Sequence, residues 1–244
     1  MIQQKESDLD ERGREARIIS NNCNREENFH VDVIREIEFS ELESMIRTVP
    51  LIEGKKLSSP THVYQDANIS FREIFVNEVN LTTFYILRKN LEFQRTLRKY
   101  LLAKEGIDTL HLNCAYELKN EKNEIWMLTP PIIEVTPRRL KYVAQIGEKT
   151  YEDSVVLQIP IVNDGAHRVF LAKEEKETFT SIYISNALEN FPFYAHPNDW
   201  SKVKIVEKIP EKKEDKKFYS RENCYGLYRD FGVLGCGAPR GVGK

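Results

Sequence analysis

The sequence predicts an α/β fold: a mixed sheet with helices, a helical N-terminal extension and a glycine-rich C-terminal tail. Three observations predict it. "TFYILRKNLEFQRTLRKYLLAK", from Thr83 to Lys104, places Ile86, Phe93, Leu97, Tyr100 and Leu101 on one side at helical spacing. "SVVLQIPIV" and "TFTSIYIS" are short apolar runs rich in β-branched residues, as buried strands are. Between them lies "AHRVFLAKEE", a helix-like stretch. Strand, helix and strand within about thirty residues make a βαβ-like unit, for which a parallel crossover is the natural connection.

The remaining elements follow in chain order. Residues 1–29 are polar and charge-rich, with little periodicity, and are expected to form a mobile leader. Val31, Val33 and Ile34 suggest a strand. Ser40, with Glu43 three residues on, has the capping-box pattern that opens a helix. "GKKLSSPTH" reads as a loop. Gly106 is placed to end the Thr83–Lys104 helix. "TLHLNCAYEL" and "EIWMLTPPIIEV" flank the polar turn "KNEKN" and suggest a hairpin, with Pro130 and Pro131 at an edge or a break. "TPRRLKYVAQIG" reads as a short helix opened by Pro137, with Thr136 as N-cap. "EKIPEKKEDKKF" is a charged linker, and a glycine-rich tail follows. The expected divisions are 1–29, a mainly helical extension over 30–107, a core over 108–206, and the linker with its tail over 207–244.

Bulk charge narrows the function classes. The formal net charge is −2, so any contact with nucleic acid must come from a local basic patch. Arg88, Arg95 and Lys99 form one such edge, and Arg138, Arg139 and Lys141 another. The first residues lack the basic and apolar regions of a signal peptide, and no apolar run reaches the length of a membrane span, so a cytoplasmic protein without membrane contact is expected. Cys23, Cys114, Cys224 and Cys236 match no zinc spacing. His111 and Cys114 fall on a strand-like stretch at odd spacing, which points them to opposite faces.

The seam at "NDGAHR" carries the most chemistry. Asp164 is placed to cap the helix that follows. Gly165 lets the turn be sharp and a ligand approach the backbone. The amides of Ala166, His167 and Arg168 then lack intrahelical partners at the positive end of the helix dipole, where an anion gains both hydrogen bonds and field. Arg168 can fork onto phosphate oxygens, and His167 can donate to another or move a proton near neutral pH. An ordinary capped turn with exposed His and Arg satisfies the same residues.

This seam, "NDGAHR" ending a buried strand before an apolar helix and the strand "TFTSIYIS", resembles the signature of the ParB/sulfiredoxin superfamily. "PPIIEV" resembles the strand preceding that motif. The resemblance covers about residues 124–206. It implies a nucleotide (ATP, ADP or CTP) with magnesium as cofactor, phosphates held by Gly165, Ala166, His167 and Arg168, and phosphoryl transfer or nucleotide hydrolysis as candidate chemistry. The sequence departs from the family at Ala166. There sulfiredoxins carry the catalytic cysteine, ParB proteins usually a glutamate and the free serine kinases a histidine. Alanine excludes sulfiredoxin-type thiol chemistry.

A phosphotransferase also needs a base. Glu134, Glu41 and Glu43 are candidates by residue type, and Asp164 can either cap the helix or contact magnesium. In "NFPFYAHPNDW", Phe193, Tyr194 and Trp200 can stack a nucleobase or pin a loop to the core. Arg229, Arg240 and Lys244 of the tail are placed to cover a phosphate. Two rivals to an enzyme stand. One is a nucleotide-gated or DNA-associated binding module without chemistry, and the other is a structural accessory to a protein partner.

Overall fold

The structure is a computed structural model describing residues 29–53, 56–188, 191, 193–220 and 227–236. Its elements are β1 (Val31–Ile37), α1 (Phe39–Arg47), β2 (Pro50–Glu53), β3 (Lys56–His62), β4 (Asn68–Ile74), β5 (Tyr85–Leu87), α2 (Arg88–Glu105), β6 (Ala115–Asn120), β7 (Ile125–Leu128), β8 (Ile132–Ile146), β9 (Lys149–Asp164), α3 (Ala166–Glu175), β10 (Phe179–Ser185), β11 (Lys204–Val206) and β12 (Leu227–Arg229).

The central sheet has the order β4-β10-β8-β9. Both faces are buried along its centre, Ile132–Thr136 of β8 and most of β10, which explains why apolar residues there fall on successive positions as well as alternate ones. Successive side chains on a strand point to opposite faces. Ile132, Ile182 and Ile184 pack with Leu42 and Ile46 of α1 and with Tyr64, Phe231 and Leu234. Ile133 and Phe179 face the other way, onto Val169, Phe170, Leu171 and Ala172 of α3 and Leu91 of α2. Burying each large apolar side chain contributes about 1.5–3 kcal/mol. A third cluster joins Leu97 and Leu101 of α2 to Leu118, Trp126 and Leu128 of the β1-β6-β7 sheet.

Several expectations are corrected. The strand–helix–strand unit is not a parallel crossover. β10 runs parallel to β8, β8 runs antiparallel to β9, and β8 separates β9 from β10. The reason lies in "TPRRLKYVAQIG", which is strand rather than helix and forms most of β8. It pairs with β9 from Ile132↔Asp164 to Ile146↔Lys149, so the chain doubles back along itself before α3 begins. Gly147 holds φ 63 at the first central position of the connecting turn and Glu148 does not, the pattern of a II′ hairpin.

The stretch 30–107 is not mainly helical. It contributes β1 to β5, and β4 pairs with β10 in the central sheet, so no core begins at residue 108. "GKKLSSPTH" yields β3, drawn into strand by antiparallel pairing with β2. Helix α1 starts one residue before Ser40, with Glu38 as N-cap and no side-chain cap bond. The long helix starts at Arg88 because Tyr85–Leu87 pair with β11, and it ends at Gly106 as expected. His111 and Cys114 precede β6 in a loop, so the argument from strand faces does not apply to them. The hairpin around "KNEKN" is present as β6 and β7, and the chain breaks at Thr129–Pro131 before β8. The leader over residues 1–28, most of the terminal glycines, Arg240 and Lys244 lie outside the described residues.

Candidate functional site

The turn from β9 into α3 is built tightly against the β7–β8 break. Gly165 adopts φ 81, and a Cβ there would lie 2.9 Å from Pro131 Cα. Backbone conformation and space both demand glycine. Gly165 itself is the N-cap, with no side-chain cap bond. Asp164 therefore does not cap the helix: it stays in register with Ile132 at the end of β9. The Arg168 amide closes onto Gly165 O at 2.9 Å, so of the three amides expected to be open only two are. Those of Ala166 and His167 meet no protein acceptor among the described residues.

The Arg168 side chain is buried. Its Nη1 donates to the Thr129 carbonyl, and its Nη2 lies 3.7 Å from Asp164 Oδ2. One arm of the expected fork is thus spent on bracing Thr129–Pro131 against the turn. Burial pulls the Arg168 pKa down, opposed by Asp164.

His167 is also half committed. Its Nε2 accepts the Leu87 amide at 3.2 Å, which leaves the ring proton on Nδ1. Burial, then the adjacent Arg168 charge, lowers its pKa to about 4. Burial thus favours the neutral imidazole, whose Nδ1–H can donate a hydrogen bond, and works against proton exchange near neutrality.

The bond from Leu87 to His167 joins two helix starts, because Leu87 is the residue before α2. Both first turns line one cavity of about 340 Å³. Lys89 and Asn90 come from α2, and Gly165, Ala166, His167 and Arg168 from α3. Neither first turn holds an acidic residue. Two positive helix ends and a lysine therefore share one space, where among the described lining residues only the partly exposed Asp164 opposes them. Phe93, Leu97, Trp126 and Leu128 supply an apolar wall, and Gln94 lines the same space with a buried Oε1 that has no hydrogen-bond partner among the described residues.

The candidate bases lie elsewhere or are occupied. Glu134 is fully buried and holds Arg229 through contacts of 2.8 and 3.0 Å. Its Oε2 also accepts from Tyr64 Oη at 2.6 Å and Asn163 Nδ2 at 3.0 Å. Glu41 pairs with Arg35 and Glu43 with Arg47 on the surface around α1. The stacking candidates do not line the cavity. Phe193 is fully buried and stacks on Tyr194 at 4.5 Å, and Tyr194 Oη accepts from Lys217. Trp200 Nε1 donates to Val79 O at 2.9 Å while its ring packs beside Phe170. These aromatics pin the loop to the core. Arg229 is core structure rather than a phosphate cover, because Glu134 claims it.

The basic edge of α2 is likewise engaged within the chain: Arg88 pairs with Glu207, and Arg95 with Glu174 of α3. His111 approaches Glu177 at 4.0 Å near Asp108, and Arg98 already bonds both carboxylates. Sequence reasoning missed Lys89, Asn90, Gln94 and Trp126. Their one signal was the i, i+4 spacing of Asn90 and Gln94, which puts two amides on one helix face.

No helix among the described residues is long and apolar enough to cross a membrane. No curated protein and no solved structure matches the chain. The model of one family, the ParB CE domain, matches residues 41–205, from α1 through β11 and across the whole cavity. That span is more than half of the chain and holds the resemblance at "NDGAHR", so the chain belongs to the ParB CE domain family.

Proposed function

We propose that the protein binds a nucleotide, with its phosphates at the turn Asp164–Arg168 and its base toward Trp126 and Phe93. The observation that carries this reading is the convergence of two helix N-termini and Lys89 on one cavity. The open amides of Ala166 and His167 supply donors to phosphate oxygens, and Arg168 supplies charge behind them. The unpaired Gln94 Oε1 asks for a donor, which an exocyclic amine or a sugar hydroxyl provides. The cavity volume stands at the lower end of small-molecule sites.

The residues fit binding better than chemistry. Ala166 carries no reactive group, and Glu134, Glu41 and Glu43 are held in ion pairs. A nucleotide-gated module without chemistry is the reading these residues favour. Magnesium hydrolysis is a second reading, favoured by one observation: the partly exposed Asp164 carboxylate at the cavity. A bound magnesium would supply Lewis acidity between phosphates, with Asp164 as its protein ligand.

Thermal shift with ATP, ADP, CTP and GTP plus magnesium tests the reading. At least one nucleotide should raise the melting temperature. Lys89→Ala, on an exposed side chain, should weaken that shift without lowering the ligand-free midpoint. Gln94→Leu should alter the ranking of bases. No shift with any nucleotide would sink the proposal. Phosphate release from the bound nucleotide would favour hydrolysis over a switch. Salt-sensitive DNA binding that ignores nucleotide would favour a DNA module instead.

A further inference from the structure

Beyond the Arg138↔Leu157 pair, β8 and β9 leave the central sheet and continue as a two-stranded ribbon. Every residue from 139 to 158 is exposed, so neither face is covered by the described residues. Eight residue pairs, from Arg139↔Val156 to Ile146↔Lys149, extend it by about 25 Å. Arg138 fixes the base by donating to Phe193 O at 2.9 Å and Ala195 O at 2.8 Å. An isolated two-stranded ribbon is at best marginally stable in water.

Cross-strand partners share a face, so the register sorts the side chains. Leu140 with Val155, Ala144 with Tyr151, Leu157, Tyr142 with Asp153, and at the tip Ile146 with Lys149 occupy one face. Arg139, Lys141 with Ser154, Glu152 and Gln145 with Thr150 occupy the other, among only two large apolar residues, Val143 and Val156. The ribbon is amphipathic, and its six large apolar residues on the first face are 41–69% exposed. Asp153, the charge in the middle of that face, is already bonded by Tyr142 Oη at 2.7 Å and the Ser154 amide at 2.7 Å.

We infer that this face is a homodimer interface, closed by the same ribbon of a second copy across a two-fold axis near Tyr142. With the ribbons antiparallel, Leu140, Val155 and Leu157 at the base of one copy meet Tyr151 and Ile146 toward the tip of the other. The contact is self-complementary, as a two-fold requires. Six half-exposed side chains at about 100 Å² each give roughly 600 Å² per copy and about 1,200 Å² per pair, the lower bound of stable interfaces. The inference assigns Arg139 and Lys141 to the solvent side and is independent of the nucleotide reading.

Sedimentation velocity of the full chain over a concentration series tests it. The wild type should sediment as a dimer at micromolar concentration. The double variant Leu140→Lys/Tyr151→Lys should weaken the dimer at least tenfold, whereas Val143→Lys/Gln145→Lys on the opposite face should leave it unchanged. A second variant, with residues 141–154 replaced by Asn-Gly, removes Tyr142, Ile146 and Tyr151, half of the face's large apolar residues, without placing charge on it. It should be monomeric with its melting temperature retained. A monomeric wild type overturns the inference, including one that pellets with anionic vesicles. So does a dimer that survives loss of the ribbon.

Discussion

Glu134→Gln should be the most damaging single-atom-scale change in the central sheet. Glu134 and Arg229 are both buried, with side chains 2% and 0% exposed. Burial works against the Arg229 charge, and the Glu134 carboxylate outweighs it, so the Arg229 pKa stands above the ordinary value. Glutamine keeps the shape but leaves that guanidinium charged and unpaired in the core. Breaking a buried ion pair from one side costs about 3–5 kcal/mol. Tyr64 and Asn163 can still donate to the amide oxygen, which favours the lower end, about 3 kcal/mol. For a domain of this size that lowers the melting temperature by roughly 6–12 °C. Differential scanning calorimetry at pH 7 reads it directly. The double variant Glu134→Met/Arg229→Met removes both charges and should lose much less than the sum of the singles, because neither partner is stranded. A Glu134→Gln protein melting within about 2 °C of wild type, or additive losses in the double variant, would refute the argument.

Two further outcomes follow from the turn. Gly165→Ala forces an L residue to φ 81 with its Cβ 2.9 Å from Pro131 Cα, so urea unfolding should show a loss of about 2–4 kcal/mol, and any nucleotide-induced thermal shift should shrink with it. His167 makes stability pH-dependent. Its folded pKa, about 4, lies below the unfolded value near 6.5, so as pH falls the unfolded chain takes the proton first. The contribution of neutral His167 is complete above pH 6.5 and is lost toward pH 4, by up to about 3 kcal/mol. Chemical denaturation at several pH values should show His167→Gln with a shallower loss over that window, and an unchanged slope would contradict the assignment.

Where one period dominated, the sequence was legible. Phe93, Leu97, Tyr100 and Leu101 recur at helical spacing and pack in one cluster, while Ile86, expected on the same face, lies in β5, and the buried segments of β8 and β10 reflect two covered faces. Gly106 and the turn "KNEKN" sit where the local signals put them. At Thr136-Pro137 two signals compete. A proline after a threonine looks like the start of a helix, yet Leu140, Tyr142, Ala144 and Ile146 alternate with period two, and Gly147-Glu148 is a II′ pair. Cross-strand pairing with β9 decided for strand, and pairing at distance is not visible in a local window. The extension over 30–107 failed for the same reason, since β4 becomes strand only beside β10. At the seam, glycine at a forced backbone position was readable from the motif. The engagement of Arg168 by Thr129 and of His167 by Leu87 was not, because both partners come from distant chain.

The buried ion pair also bears on what the cavity requires. Asn163 lines the cavity one residue before Asp164, and its Nδ2 donates to Glu134 at 3.0 Å and to Tyr64 Oη at 2.7 Å. Glu134 in turn holds Arg229, which comes from β12 in the tail, and Arg229 donates onward to Phe191 O at 2.7 Å. β12 lies past residue 205, where the family match ends. The tail therefore satisfies a carboxylate one hydrogen bond from the cavity wall, and Phe231 and Leu234 after it close the core beneath α1. A fragment cut at residue 206 would leave Glu134 buried without its cation and Tyr64 without its stacked Phe231. The cost of one stranded buried charge is of the same order as the whole stability of many domains. The matched span is thus the part of the chain that carries the family's motif, and it is not by itself a unit that can hold the motif in place.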